Sequence, residues 1–185
     1  MHRAATISPC GRYRTYLVRR WGPGPRLIVC MLNPSRADAE LDDPTILALI
    51  WFATAWGYGG IEVINLRAWR ASRPRDLFAA EADGIDTIGP ENEAAWFDMR
   101  TYARCNNLPI LVAWGNNAPA ADIARFAEFF GYEAFGVILP VPLICLGTTG
   151  TGAPIHPAAR GRHRIPRDRQ PIPYELPYLQ PRAIP

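Results

Sequence analysis

The chain has 185 residues, of which 49% are hydrophobic and 20% charged, with a formal net charge of +3. That supports one ordinary hydrophobic core, excludes two comfortable domains, and leaves overall charge with little to say about partners. No run approaches the roughly 18 uninterrupted apolar residues of a membrane span, and the N-terminal MHRAATISPCGRYR lacks the apolar segment of a signal peptide. The expectation is a cytoplasmic protein with no membrane partner.

In chain order, Tyr13–Val18 and Leu27–Leu32 are apolar stretches separated by Trp21-Gly22-Pro23-Gly24-Pro25, a turn signal that predicts an N-terminal β-hairpin. The second stretch is apolar on both faces, as a central strand covered by helices on both sides should be. Asp42-Asp43-Pro44-Thr45 predicts a helix start, with an acid at the N-cap and proline at the first helical position. That helix runs through Trp51 and Phe52 toward Trp56 and stops at Gly57-Tyr58-Gly59-Gly60, and strand Ile61–Leu66 follows. Residues 75–107 read as mostly helical, with Gly89-Pro90-Glu91-Asn92 opening the clearer helix. Strand Ile110–Trp114, helix Ala118–Phe130 and strand Pro142–Leu146 close the core. Strands alternating with helices predict an α/β fold, three-layer α/β/α, with a mainly parallel central sheet and right-handed crossovers. Residues 1–158 are expected to form this single domain. The last 32 residues hold eight of the nineteen prolines and six of the twenty arginines, and 159–185 read as an irregular extension packed on the domain or trailing from it.

Cys10, Cys30, Cys105 and Cys145 form no CxxC pair, and their scatter argues against a disulfide framework, a zinc site or an iron–sulfur cluster. Cys30 and Cys145 lie in the apolar runs LIVCML and PLICLG and read as core residues. No metal and no cofactor are expected. Every basic side chain other than histidine is arginine, whose planar fork suits phosphates; codon bias in a GC-rich genome would give the same pattern.

In an open parallel sheet ligands bind in the crevice beyond the carboxyl ends of the strands. The segments that follow the predicted strands are therefore the candidates: Asn33-Pro34-Ser35-Arg36-Ala37-Asp38, Asn65-Leu66-Arg67-Ala68-Trp69-Arg70, Trp114-Gly115-Asn116-Asn117, and the Gly147–Gly152 loop with Ile155-His156-Pro157. From Leu32 to Pro157 the chain carries in order LNPS-x-AD, DDPT, a WGYGG–strand–NL segment, GP-x-N, AWG and a late CLG…G-x-P-x-HP segment. These marks resemble a bacterial and phage family catalogued as a domain of unknown function.

More distantly, the strand ends are similar to those of the uracil-DNA glycosylase superfamily, its mismatch-specific branch above all. Met31-Leu32-Asn33-Pro34-Ser35 resembles that family's strand-end asparagine motif, with Ser35 where glycine is usual. Asn65, Trp114-Gly115 and His156-Pro157 stand in the matching places, with Ala158 where a serine is expected. The resemblance implies a hydrolase acting on an N-glycosidic bond of a nucleobase, nucleotide or nucleic acid. It makes Asn33, Ser35 and His156 the catalytic candidates. Asn33 would orient a water, which an oxocarbenium-like transition state needs more than it needs a strong base. His156 would stabilise charge on the departing base, Asn65 would pair with the base edge, and Trp69 would stack on a flipped base. Arg36, Asp38, Asp43, Arg67, Trp114, Gly115, Asn116 and Arg160 complete the expected binding set.

Simpler readings stand beside these. Asn33-Pro34-Ser35 also terminates a strand, Asp42 and Asp43 read as capping groups, and Trp51, Phe52, Ala55 and Trp56 recur at core spacing. Gly147–Gly152 lacks the lysine of a phosphate loop. Arg160, Arg162, Arg164, Arg167 and Arg169 read as a solvated tail or as a grip on phosphates beside His156. Two other functions fit the same crevice: a non-catalytic nucleotide or nucleic-acid binding module, and an enzyme on another small molecule. The sequence leaves the oligomeric state open.

Overall fold

The computed structural model describes residues 1–131 and 140–176. Its chain begins with β1 (His2–Ile7) and β2 (Arg14–Arg20), which pair antiparallel around a turn closed by Ser8 N–H donating to the Tyr13 carbonyl. β3 (Arg26–Met31) is the apolar strand expected at the centre, and it is flanked by two parallel neighbours, β4 (Gly60–Asn65) and β5 (Ile110–Val112). β6 (Leu143–Cys145) continues the parallel run, and β7 (Ile172–Pro173) closes that edge antiparallel. The order is β1-β2-β4-β3-β5-β6-β7, a mixed α/β arrangement whose sheet is parallel through its middle and antiparallel at both flanks.

The hairpin expected across Trp21–Pro25 does not form, because β4 is inserted between β2 and β3. The turn signal is real, but it bridges over the start of a third strand. Trp21 and Gly22 N–H both donate to the Gly59 carbonyl, and Gly59 N–H donates to Pro25. The backbones approach so closely that a Cβ on Gly59 would lie 2.5 Å from the Gly24 nitrogen. The N-terminal hairpin is instead β1–β2, whose first strand the alternation of HRAATI was too weak to announce. At the far end β7 was also missed: a two-residue strand containing a proline is tolerated only at a sheet edge, where one missing N–H costs nothing.

Period-two alternation sorts the strand side chains into two cores. Leu27, Val29, Met31, Ile61, Val63 and Leu111 pack with Ile46, Leu49 and Phe52 of α1 (Pro44–Ala55). Ile28, Cys30, Ile64, Ile110 and Val112 pack with residues of α2 (Pro74–Ala82), α3 (Asn92–Asn106) and α4 (Ala120–Gly131), among them Leu77, Trp96, Met99, Phe126 and Phe130. α1 starts as its sequence dictates: Asp43 Oδ1 accepts from Thr45 and Ile46 N–H at 2.9 and 3.0 Å, and Pro44 occupies the first turn. α3 begins at Asn92, whose amide donates to the Asn65 and Leu66 carbonyls at 3.2 Å and so fixes the helix to the end of β4.

Among its described residues the C-terminal segment carries two short elements. A 3-10 turn spans Gly161–His163. Beyond it Trp51 and Trp56 of the α1 region donate their indole N–H to the Arg167 and Arg169 carbonyls at 3.4 and 3.1 Å. Arg167 also lies over the Trp51 ring at 4.4 Å, so the arm is strapped along α1 before it reaches β7.

Candidate functional site: a crevice at the strand ends

β3, β4, β5 and β6 run parallel, so their carboxyl ends meet on one side of the sheet. There a crevice of about 400 Å³ is lined by Asn33 and Ser35 after β3, Ala71 and Ser72 after β4, Trp114–Asn117 after β5, and Ile155 and His156 after β6. Thr45 at the start of α1 and His163 of the arm also line it.

Asn33 is held by its own amide nitrogen. Nδ2 donates to the carbonyls of Ala71 at 2.8 Å, Pro34 at 3.0 Å and Trp69 at 3.4 Å. All three partners are acceptors, so the amide can sit only one way round. Its Oδ1 has no hydrogen-bond partner among the described residues and remains an available acceptor at the crevice. The same bonds tie the loop after β3 to the segment after β4.

His156 is fixed by its own loop, the one after β6. Ala158 N–H donates to Nδ1 at 3.2 Å, which places the proton of the neutral ring on Nε2. Burial lowers its pKa below the ordinary 6.5, with Asp43 pulling weakly the other way. The ring is therefore neutral at pH 7 and offers a single donor, Nε2–H. Gly115 adopts a positive φ of 71°, which lets the chain turn out of β5 beside His156. Asn116 Oδ1 accepts from Thr149 and Thr151 hydroxyls at 2.7 and 3.0 Å and so pins the Gly147–Gly152 loop to the β5 exit. The Gly147–Gly152 loop, which lacks the lysine of a phosphate loop, is thus braced against the β5 exit.

Trp114 is only 2% exposed and packs edge-on to Phe126 and Tyr174, with ring centroids 5.4 and 6.1 Å away. Its indole N–H is buried without a hydrogen-bond partner among the described residues.

Several expected binding residues frame the crevice without lining it. Asn65 is fully buried, and neither atom of its amide has a hydrogen-bond partner among the described residues. Arg67 is turned inward, where Nε meets Asp122 at 2.5 Å and Nη1 meets Glu81 and Thr87 at 2.6 Å. Burial opposes its charge, and the Asp122 and Glu81 bonds outweigh it, raising its pKa. Asp38 Oδ1 accepts from Leu41 and Glu40 N–H at 2.8 and 2.9 Å, and these bonds hold its carboxyl below the usual range. Asp43 is the α1 cap. Arg36 is exposed on the rim, and Trp69 is half-buried against Tyr13 at 5.2 Å. Arg160 is exposed at the start of the 3-10 turn and outside the lining.

The structure also enlists residues that the sequence did not single out. Thr45 and His163 line the crevice, and His163 was concealed in an arginine run that reads as a tail. Arg14 and Arg19 of β2 are fully buried beneath the loop after β3: Arg14 donates to the Ala37 carbonyl, and Arg19 holds Asp42 at 2.6 Å with the carbonyls of Asp38 and Leu41. Burial drops the Arg14 pKa to about 10. The detectable signal was charge inside a strand that had to be covered.

Among the described residues no group of three or more histidine, cysteine or acidic side chains is arranged to hold a metal ion. No helix there is long and apolar enough to cross a membrane. A family model described as a protein of unknown function (DUF1643) matches residues 12–158. No curated protein and no solved structure matches the chain.

Proposed function

Because the chain belongs to the family of unknown function DUF1643 across residues 12–158, we propose its chemistry from the crevice itself: hydrolysis of an N-glycosidic bond to a nucleobase, in the manner of the uracil-DNA glycosylases. The observation that carries this reading is the pairing of an amide acceptor with a neutral imidazole donor in the lining of one crevice of about 400 Å³. The free Oδ1 of Asn33 can accept a hydrogen bond from a water and aim its oxygen at the anomeric carbon. The C–N bond then breaks, its electron pair leaves on the base, the water oxygen bonds to the sugar, and its proton passes to solvent. The Nε2–H of His156 can donate to the oxygen of the departing base, where negative charge develops. Ser35 and Asn116 supply further polar groups for the base or sugar.

The α1 core on one face of the sheet and the α2, α3 and α4 core on the other support the three-layer form of this fold. The same proposal takes residues 1–158 as the α/β domain and 159–185 as an arm. The β6–β7 pairing and the bonds from Trp51 and Trp56 favour a packed arm over a trailing one.

One observation favours a second reading, a nucleotide-binding module without turnover: the crevice lining contains no aspartate or glutamate. The deciding experiment incubates the protein with uracil-, hypoxanthine- and mismatch-containing oligonucleotides and with free nucleosides, and measures released base. Release by wild type, falling about a hundredfold or more in Asn33→Ala below its melting temperature, where the variant is folded, establishes the hydrolase. Stabilisation of the fold by these ligands with no release selects the binding module, and no response to any of them removes both.

A further inference from the structure

Beside the crevice lie two shallower depressions of about 290 and 620 Å³, both sharing Ala71 and Ser72 with its lining and the smaller also Ser35. Their linings include Arg12, Arg36, Arg70 and Arg73 against a single carboxylate, Asp76, and Trp69 lines both. Asp76 is already engaged by Arg73 at 2.9 Å and Arg75 at 3.6 Å. Arg70 spends its donors on the carbonyls of Gly11, Ser35 and Arg36, which position it without neutralising it. Arg12 and Arg36 are exposed and have no carboxylate partner among the described residues, and Arg12 hangs over the Trp69 ring at 5.9 Å.

Like charges gathered around one aromatic ring repel each other unless something anionic lies between them. The Trp69 ring is propped edge-on by Tyr13, so it is fixed in place. A basic wall that tracks a backbone, with an aromatic platform for bases, is the physical make-up of a single-strand binding groove. Exposed arginines that find no acid suit phosphodiesters, whose oxygens they grip in pairs.

We propose that this groove binds single-stranded nucleic acid, with Arg12 and Arg36 on successive phosphates and a base stacked on Trp69, and that it leads the strand into the crevice. The assignment of a strand rests on the groove alone; that the crevice then processes a base rests on the reading above. The substrate class becomes a polymer rather than a free base or mononucleoside.

The test is fluorescence anisotropy with a labelled 15-nucleotide single strand, titrated at several salt concentrations, beside the matching duplex and a mononucleotide. Wild type is expected to prefer the single strand over both, with Arg12→Ala and Arg36→Ala each weakening binding several-fold. Each arginine removed should also lower the slope of log affinity against log salt by about 0.7. Trp69→Ala should weaken binding about tenfold while Trp69→Phe keeps most of it. Equal affinity for duplex and single strand, or variants indistinguishable from wild type, overturns the groove. Asn33→Ala run alongside separates the two ideas. Strand binding that depends on Arg12 and Arg36, with no base released by any form, keeps the groove and removes the hydrolase. Base release indifferent to Arg12→Ala and Arg36→Ala keeps the hydrolase and removes the groove.

Discussion

At His156, burial and the Ala158 N–H act on one protonation state, since both favour a neutral ring whose proton is on Nε2. Its folded pKa lies below the unfolded 6.5, so the unfolded chain binds the proton first as pH falls. The contribution of this residue to stability is therefore complete above pH 6.5 and is lost below it. Catalysis that needs the neutral ring should decline on the acid side with a midpoint below pH 6.5, and a pH–rate profile of base release checks this. A midpoint at or above pH 6.5 would contradict a depressed pKa. Asn33 is legible for a different reason: an asparagine before proline at a strand end is a turn residue in any context. Only the tertiary contact with Ala71 and Trp69, far along the chain, shows that its amide nitrogen is spent and its oxygen spare. Asn65 was just as visible in sequence, and the fold turns its side chain inward.

The helix start at Asp43 was readable because capping is local, an acid answering two N–H groups within three residues. Asp43→Ala should cost about 1 kcal/mol, measured by denaturant unfolding, without changing the unfolding slope. The segment Trp21–Pro25 was readable as a turn and unreadable as a crossing, because local signals mark where a chain bends but not which strand lies beneath it. Gly59 carries that information only in three dimensions. Gly59→Ala would drive a methyl into the Gly24 nitrogen and the Gly22 carbonyl, at 2.5 and 2.7 Å, where the obstacle is backbone and cannot rotate away. The expected result is a loss of several kcal/mol or an insoluble protein. At Gly57, by contrast, φ is +82° and the space is open, so alanine should cost only about 1 kcal/mol of backbone strain. A melting comparison of the two variants separates collision from strain.

Across the whole molecule, the two ends of the chain build the walls of a site that the middle supplies. β2 buries Arg14 and Arg19 to brace the loop after β3, and the C-terminal arm brings His163 to the crevice and β7 to the edge of β6. Arg67 couples the exit of β4 to α4 through Asp122, a pair in which both side chains are nearly inaccessible. Asp122→Asn leaves the buried Arg67 with only the half-exposed Glu81 as a carboxylate partner, so it should destabilise by about 1–3 kcal/mol in denaturant unfolding. The proposed function gives Arg67 no part in contacting substrate, so base release by the folded fraction should survive. Truncation after residue 158 should lower the melting temperature by uncovering the β6 edge and the indoles of Trp51 and Trp56.

By itself the sequence determined the alternation of strands and helices, the centrality of β3, the α1 cap and the segments after β3, β5 and β6 from which most of the crevice is drawn. Each of these is encoded within a few residues, by side-chain period, by capping or by turn chemistry. The tertiary structure decided the strand order, the inward turn of Asn65 and Arg67, the tautomer of His156 and the gathering of Arg12, Arg36, Arg70 and Arg73 around Trp69. Those depend on pairs of residues distant in the chain, where burial and hydrogen-bond demand are settled by neighbours that no local pattern names.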